Sequence, residues 1–204
     1  TSGATVVQAY AVRLKAPTEQ VTTIDTWAHG SSRGAKYYLS LVEQDSGYVS
    51  NLECLVTHNG SDAFVAIYNE HYSNSTQGSL VTLTADISGT DVRLRAVGTL
   101  ANIKVKFYKI MLADNESNAT GTDANVIGAV TVSSTATAID TFVDISYTGA
   151  HYIIVGYNSG ESGTPASICE ATVLTDGTGA YVAQGPVVST KGTDQLILTA
   201  AHDG

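Results

Sequence analysis

Five histidines and 19 acidic side chains are the groups in this 204-residue chain best suited to acid–base or metal chemistry. A hydrolase built from them needs a nucleophile, a base within hydrogen-bond reach and a group that orients the base. His29, His58, His71, His151 and His202 all lie outside Gly-x-Ser-x-Gly and His-Glu-x-x-His contexts. His58 stands on the shoulder of a His-Asn-Gly-Ser turn, and the comparable position later in the chain is Thr175, so turn geometry is favoured over catalysis. Glu70-His71 follows a strand-like run and reads as a solvated strand end. Glycoside cleavage asks for two carboxyl groups at a set separation. Glu43, Asp45, Asp86 and Asp91 are the carboxylates to check, but nothing in their spacing brings two together. Asp114, Asn115, Glu116 and Asp123 are hard oxygen ligands of the kind Ca²⁺ takes. They lack the spacing and turn glycine of an EF-hand loop, so a solvated linker is the simpler reading. No residue is assigned a catalytic, cofactor-binding or metal-ligating role, and a non-enzymatic protein is expected.

The aromatic residues invite a binding reading. Trp27 and Phe142 each follow Ile-Asp-Thr, and an exposed ring there could stack on a sugar. Their equivalence argues instead for core anchors filling the same space twice. Tyr48, Tyr68, Tyr72 and Tyr181 suit an interface with one apolar and one wet edge. Asn59, Asn74, Asn115 and Asn118 begin Asn-x-Ser/Thr sequons, which chance supplies in a chain this rich in Ser and Thr. Cys54 and Cys169 are too few for a disulfide framework and read as buried thiols in separate copies.

The elements that carry these residues have a period of two. Ile103, Val105 and Phe107 alternate with Lys104, Lys106 and Tyr108, and the pattern breaks at Lys109. Short runs at 64–68, 80–83 and 92–95 are rich in β-branched and aromatic residues. His58-Asn59-Gly60-Ser61 and Thr175-Asp176-Gly177-Thr178 supply the positive φ angles of tight hairpins. No window offers helical spacing with caps. The fold class expected is all-β, with antiparallel β-sandwich packing.

The chain also repeats itself. IDTWAHGSSRGAKYY at 24–38 aligns with IDTFVDISYTGAHYI at 139–153, an offset of 115 from Ile24 to Ile139. ECLVTHNGSDAFVA at 53–66 aligns with EATVLTDGTGAYVA at 170–183, an offset of 117, and GTDVRLRA at 89–96 pairs with GTDQLILTA at 192–200. Self-similarity of this length predicts two tandem β-sandwich modules. The division is residues 1–20 as N-terminal strand and linker, 21–112 as the first module, 113–126 as a polar linker and 127–204 as the second. Copy one continues into a long strand at 101–113, whereas copy two reaches Ala201-His202-Asp203-Gly204 where its counterpart would begin. The run at 4–16 resembles that strand. It is expected to complete the second module in cis or to be donated to a neighbouring subunit, unless the chain is part of a longer array.

Composition narrows the partners. Charged residues make up 14% of the chain, and the formal net charge is −9. That disfavours nucleic acid, since no basic stripe is available to neutralise phosphates. No apolar run approaches the roughly 20 residues of a membrane-spanning helix, so no membrane insertion is expected.

With the modules laid out, copy one resembles a repeat in virion structural proteins of tailed phages infecting marine cyanobacteria and related hosts. The resemblance runs through GAKYYLSLVEQ (34–44), ECLVTHNGSDAFVAIYNE (53–70), LTADISGTDVRLRAVG (83–98) and IKVKFYKIML (103–112). Copy two shares GAHYIIVGY and EATVLTDGTGAYVA but not the ADISG turn or the closing strand. The resemblance implies a tail-fibre, baseplate or other appendage protein, located in the virion, assembled as a homotrimer and joined to other virion proteins. It carries over no catalytic residue. A host-surface glycan is a further candidate partner. The rival reading is a secreted, extracellular bacterial adhesin or carbohydrate-binding module.

Overall fold

Alternation of apolar and polar residues sets the strands, because successive side chains on a strand point to opposite faces. In the computed structural model, residues 10–14, 21–113, 138–139, 149–158, 160, 162–191 and 196–201 are described. They form eleven strands: β1 (Tyr10–Arg13), β2 (Thr22–Ala28), β3 (Ser32–Glu43), β4 (Val49–His58), β5 (Ala63–Tyr72), β6 (Val81–Ser88), β7 (Asp91–Gly98), β8 (Ile103–Ala113), β9 (Gly149–Tyr157), β10 (Ala166–Thr175) and β11 (Ala180–Ser189). Every pairing is antiparallel. The strands make a five-stranded sheet in the order β1-β8-β3-β4-β5 and two three-stranded sheets, β2-β7-β6 and β11-β10-β9. The chain is all-β, as expected.

The five-stranded sheet and β2-β7-β6 form a sandwich over one continuous core. Ala35, Tyr37, Leu39 and Leu41 of β3, Leu52, Cys54 and Val56 of β4, and Ile103, Val105 and Phe107 of β8 face Ile24, Trp27, Val92 and Leu94. Tyr37 lies at the centre, its ring 6.0 Å from that of Trp27 and 5.8 Å from that of Phe107. Trp27 is thus a core anchor, while Phe142 lies outside the described residues. The break at Lys109 is resolved by charge. Lys109 stays on the inner face of β8, where its Nζ reaches Asp25 Oδ2 at 2.6 Å and lies 5.5 Å from the Trp27 ring. Tyr37 donates its hydroxyl to the same oxygen at 2.7 Å, and burial together with the Asp25 charge holds its pKa well above the usual phenol value.

The third sheet covers the opposite face of the first. Leu55 points away from the main core and, with Ile168 and Val188, forms a second cluster joined by Ala66, Tyr68, Ile153 and Val155. The described strands therefore stack in three layers, and the boundary expected between the copies is bridged by a shared core. The ladders of β9–β11 follow those of β3–β5 at the two sequence offsets. Tyr38 pairs with Glu53 and Ile153 with Glu170; Val56 pairs with Val65 and Val173 with Val182. The hairpin turns correspond too. Asn59 Oδ1 accepts the N–H groups of Ser61 and Asp62, and Asp176 Oδ1 accepts those of Thr178 and Gly179. Gly60 and Gly177 supply the positive φ, at 94° and 84°.

Edge strands β5 and β11 each carry a bulge at nearly equivalent places. Asn69-Glu70 stand opposite Leu52 alone, and Gly185-Pro186 opposite Glu170 alone.

Two expectations are corrected. The N-terminal strand does not complete the second copy: β1 pairs with β8, with Val12 opposite Val105, and extends the first sheet. That sheet has the free edge because β8 is its last strand, and β1 complements β8 directly. Second, residues 196–201 do not form a counterpart of β7, since they contain no strand. They still run over the outer face of β9–β11: Leu196 sits against Gly156, and its carbonyl accepts from Gln184 at 3.3 Å. The linker at 114–126, with its Ca²⁺ candidates, lies outside the described residues.

Gly34 sits where two layers meet, and a Cβ there would lie 3.0 Å from Ile168 Cδ1 and 3.1 Å from Val155 Cγ2. Gly34→Val should pry β9–β11 from the first sheet while sparing the main core. The expected readout is faster amide hydrogen exchange in β10 with unchanged protection in β7; equal loosening of both would contradict the layering.

Candidate functional site

Two arrangements on the outer face of the five-stranded sheet gather polar groups. The first is buried between layers. Lys36 of β3 points away from the main core, and it is only 2% exposed because β9–β11 lie over it. Its ammonium meets Glu53 Oε2 of β4 at 2.7 Å and also Glu170 Oε1 of β10. Tyr68 of β5 donates its hydroxyl to Glu170 Oε1, and His151 Nε2 of β9 lies 3.7 Å from Glu170 Oε2. Asn69 donates to Glu53 Oε1 at 3.2 Å. One cluster thus ties five strands from two sheets.

Its protonation follows from these contacts. Desolvation works against a charged Lys36, but the two carboxylates outweigh it and raise its pKa. Burial likewise opposes ionisation of Glu53, and the hydrogen bonds from Lys36 and Asn69 overcome that and lower its pKa. Burial and the Glu170 carboxylate push the Tyr68 phenol upward, so it remains a donor. A buried cation held by two anions and a fixed donor is suited to positioning one sheet on another. Its open side is at Glu53 and Asn69, which line the groove beside it.

The second arrangement is open. Beyond the edge of β9–β11, a groove of about 620 Å³ runs over β8, β3, β4 and β5. Tyr38 and Tyr108 are cross-strand neighbours and stack in it, with ring centroids 4.4 Å apart and planes 12° off parallel. The Lys36 ammonium caps Tyr38 at 4.4 Å from its centroid. Ser40, Asn51, His71 and Lys106 line the same groove and are exposed.

The residues singled out in the sequence are dispersed. His58 is buried, and its role is structural: Nδ1 accepts from Gly60 N at 3.1 Å, which leaves Nε2–H to donate to the Ser32 carbonyl at 2.7 Å. Thr175 Oγ1 takes the matching bond from Gly177 N. Glu70 and His71 lie at the end of β5, just before Tyr72; His71 is exposed, while Glu70 Oε1 is buried. Asp86 is held by both Arg93 and Arg95 at 2.7 Å, and the Arg93 bond leads in lowering its pKa. Glu43 accepts the N–H groups of Asp45 and Ser46 in the β3–β4 turn, and Asp45 accepts from Asn102 at 2.9 Å. Asp91 opens β7 opposite Ala28. None of these four carboxylates faces another across a cleft among the contacts described. Asn59 and Asn74, from the sequons, use their side-chain oxygens as turn acceptors. Cys54 and Cys169 are both buried thiols, and burial raises the Cys54 pKa. Of the four tyrosines, Tyr72 and Tyr181 are exposed, whereas Tyr68 serves the interface between sheets and Tyr48 packs at the rim of the main core. His202 lies outside the described residues.

Sequence reasoning missed Lys36, Glu53 and Glu170. A signal was present: Lys36 and His151, and Glu53 and Glu170, occupy equivalent places at the two offsets. It also missed Tyr38 and Tyr108, whose adjacency depends on a pairing 70 residues apart in the chain. Among the described residues no three His, Cys, Asp or Glu side chains converge as metal ligands, and no helix is long and apolar enough to cross a membrane. Comparison of the sequence with protein-family models finds no match, nor does comparison with curated proteins.

Removing Lys36 alone strands two partly buried carboxylates, which typically costs about 3 kcal/mol or more. Lys36→Met should therefore lower the midpoint of urea unfolding, and adding Glu53→Gln and Glu170→Gln should recover much of the loss. Glu53 has a folded-state pKa below its unfolded value. It contributes stability above about pH 4.3, lost as pH falls through the folded value. Glu53→Gln should accordingly flatten the acid limb of stability against pH; an unchanged limb would remove Glu53 from the cluster's energetics.

Proposed function

We propose that the chain is a non-enzymatic structural component of a phage virion, a tail-fibre, baseplate or other appendage part that assembles with copies of itself and with other virion proteins. The observation that carries the reading is the stacking of β9–β11 on β3–β5 through corresponding faces, sealed by Lys36. Strand units that dock on one another by the same face make a stiff, layered body, whose working stability is set by how slowly it unfolds. The motif resemblance of residues 34–112 supports the appendage assignment. Exposed Phe64, Ile67 and Tyr72 on edge strand β5, with Tyr181 on β11, supply apolar and aromatic contacts for neighbouring subunits. Closed symmetry is the simplest way to cover such edges, with the trimer implied by the resemblance.

Sedimentation at micromolar concentration should give a stable oligomer. Ile67→Asp and Tyr181→Asp, both at exposed sites, should shift it toward monomer without loss of β structure. A wild-type chain that stays monomeric at every concentration would remove the assembly on which this reading depends.

A further inference from the structure

The groove beside the third sheet is crossed by two parallel rows of side chains. Strand registers place Tyr108 next to Tyr38 in one row, and Lys106, Ser40, Asn51 and His71 in the next. With strands about 4.8 Å apart, the second row spans roughly 14 Å from β8 to β5. One row presents Tyr108, which is 38% exposed and stacked on Tyr38. The other presents a hydroxyl, an amide, an imidazole and an ammonium, all exposed.

We propose that this groove binds an oligosaccharide. Sugars have an apolar C–H face and a hydroxyl-bearing rim, and the two rows match that division. Tyr rings combine apolar surface with a polar tip, and rings already fixed in place lose little freedom on contact. Tyr108 stacks on Tyr38, which the Lys36 ammonium also contacts, so Tyr108 is held in place before any ligand arrives. A groove of about 620 Å³ is of the size that small ligands occupy, about 300–1,000 Å³. Other occupants fit less well. Lys106 is the single Lys or Arg lining the groove, in a chain of net charge −9, which is poor for nucleic acid. The row of Ser40 and Asn51 is too polar for an apolar helix or a lipid surface. The floor strands β8, β3 and β4 have a neighbour on each side, and the one edge strand at the groove, β5, is interrupted by its bulge at Asn69-Glu70, which disfavours an added peptide strand.

The proposal goes beyond the assembly reading and does not rest on it. The full chain is applied to a microarray of neutral and uronate-containing oligosaccharides, and the best-bound glycan is titrated by calorimetry. Saturable binding is expected, weakened about tenfold or more by Tyr108→Ala and by Asn51→Leu. Tyr181→Ala, outside the groove, should leave it unchanged. Asn51→Leu alters an exposed side chain, so it decides the matter independently of any unfolding caused by Tyr108→Ala. Absence of binding to every glycan, or binding that survives Asn51→Leu, overturns the proposal. Sedimentation of the same samples reports on assembly separately.

Discussion

A single ammonium group, that of Lys36, sits in the space between two sheets and is shared by carboxylates from both. The arrangement is demanding. Charges removed from water cost several kcal/mol each unless partners replace the lost hydration. Glu53, Glu170 and the hydroxyl of Tyr68 provide those partners, and they converge only when β9–β11 lie in one register over β3–β5. The apolar contacts around Leu55, Ile168 and Val188 would tolerate some sliding; the ion cluster would not. Apolar burial holds the layers together, and the buried charge selects how they align.

The same division of labour appears on the other side of the central sheet. Lys109, Asp25 and Tyr37 form a second polar cluster inside the main core, again joining two sheets. Each cluster centres on a lysine of the five-stranded sheet, one pointing up and one down. That sheet is therefore the reference layer to which both outer sheets are keyed.

Much of this was legible in the sequence where the physics is local. Alternation marked the strands, and Asn59-Gly60 and Asp176-Gly177 marked their hairpins, because positive φ falls to few residue types. Trp27 was readable as core from its equivalence with Phe142. The non-local part was not. Whether the copies stand apart or stack depends on what covers the outer face of β3–β5, and alternation describes a face without naming its partner. Lys36 in GAKYY looks like any solvated lysine until Glu170 is brought over it. The N-terminal strand was misassigned for a related reason. Its pattern suits any free sheet edge, and β8 offered one. The groove escaped notice because its tyrosines lie on strands far apart in the chain.

The bulges in β5 and β11 bear on how far such molecules can grow. A regular edge strand invites a neighbour to zip along its whole length, and repetition of that event yields fibres. Here the row of donors and acceptors is interrupted, at Asn69 by a left-handed residue with φ 49° and at Pro186 by a residue without an N–H. An incoming strand would lose its register after a few residues. Greasy side chains can therefore stand along these two rims without an unbroken template for strand addition beside them.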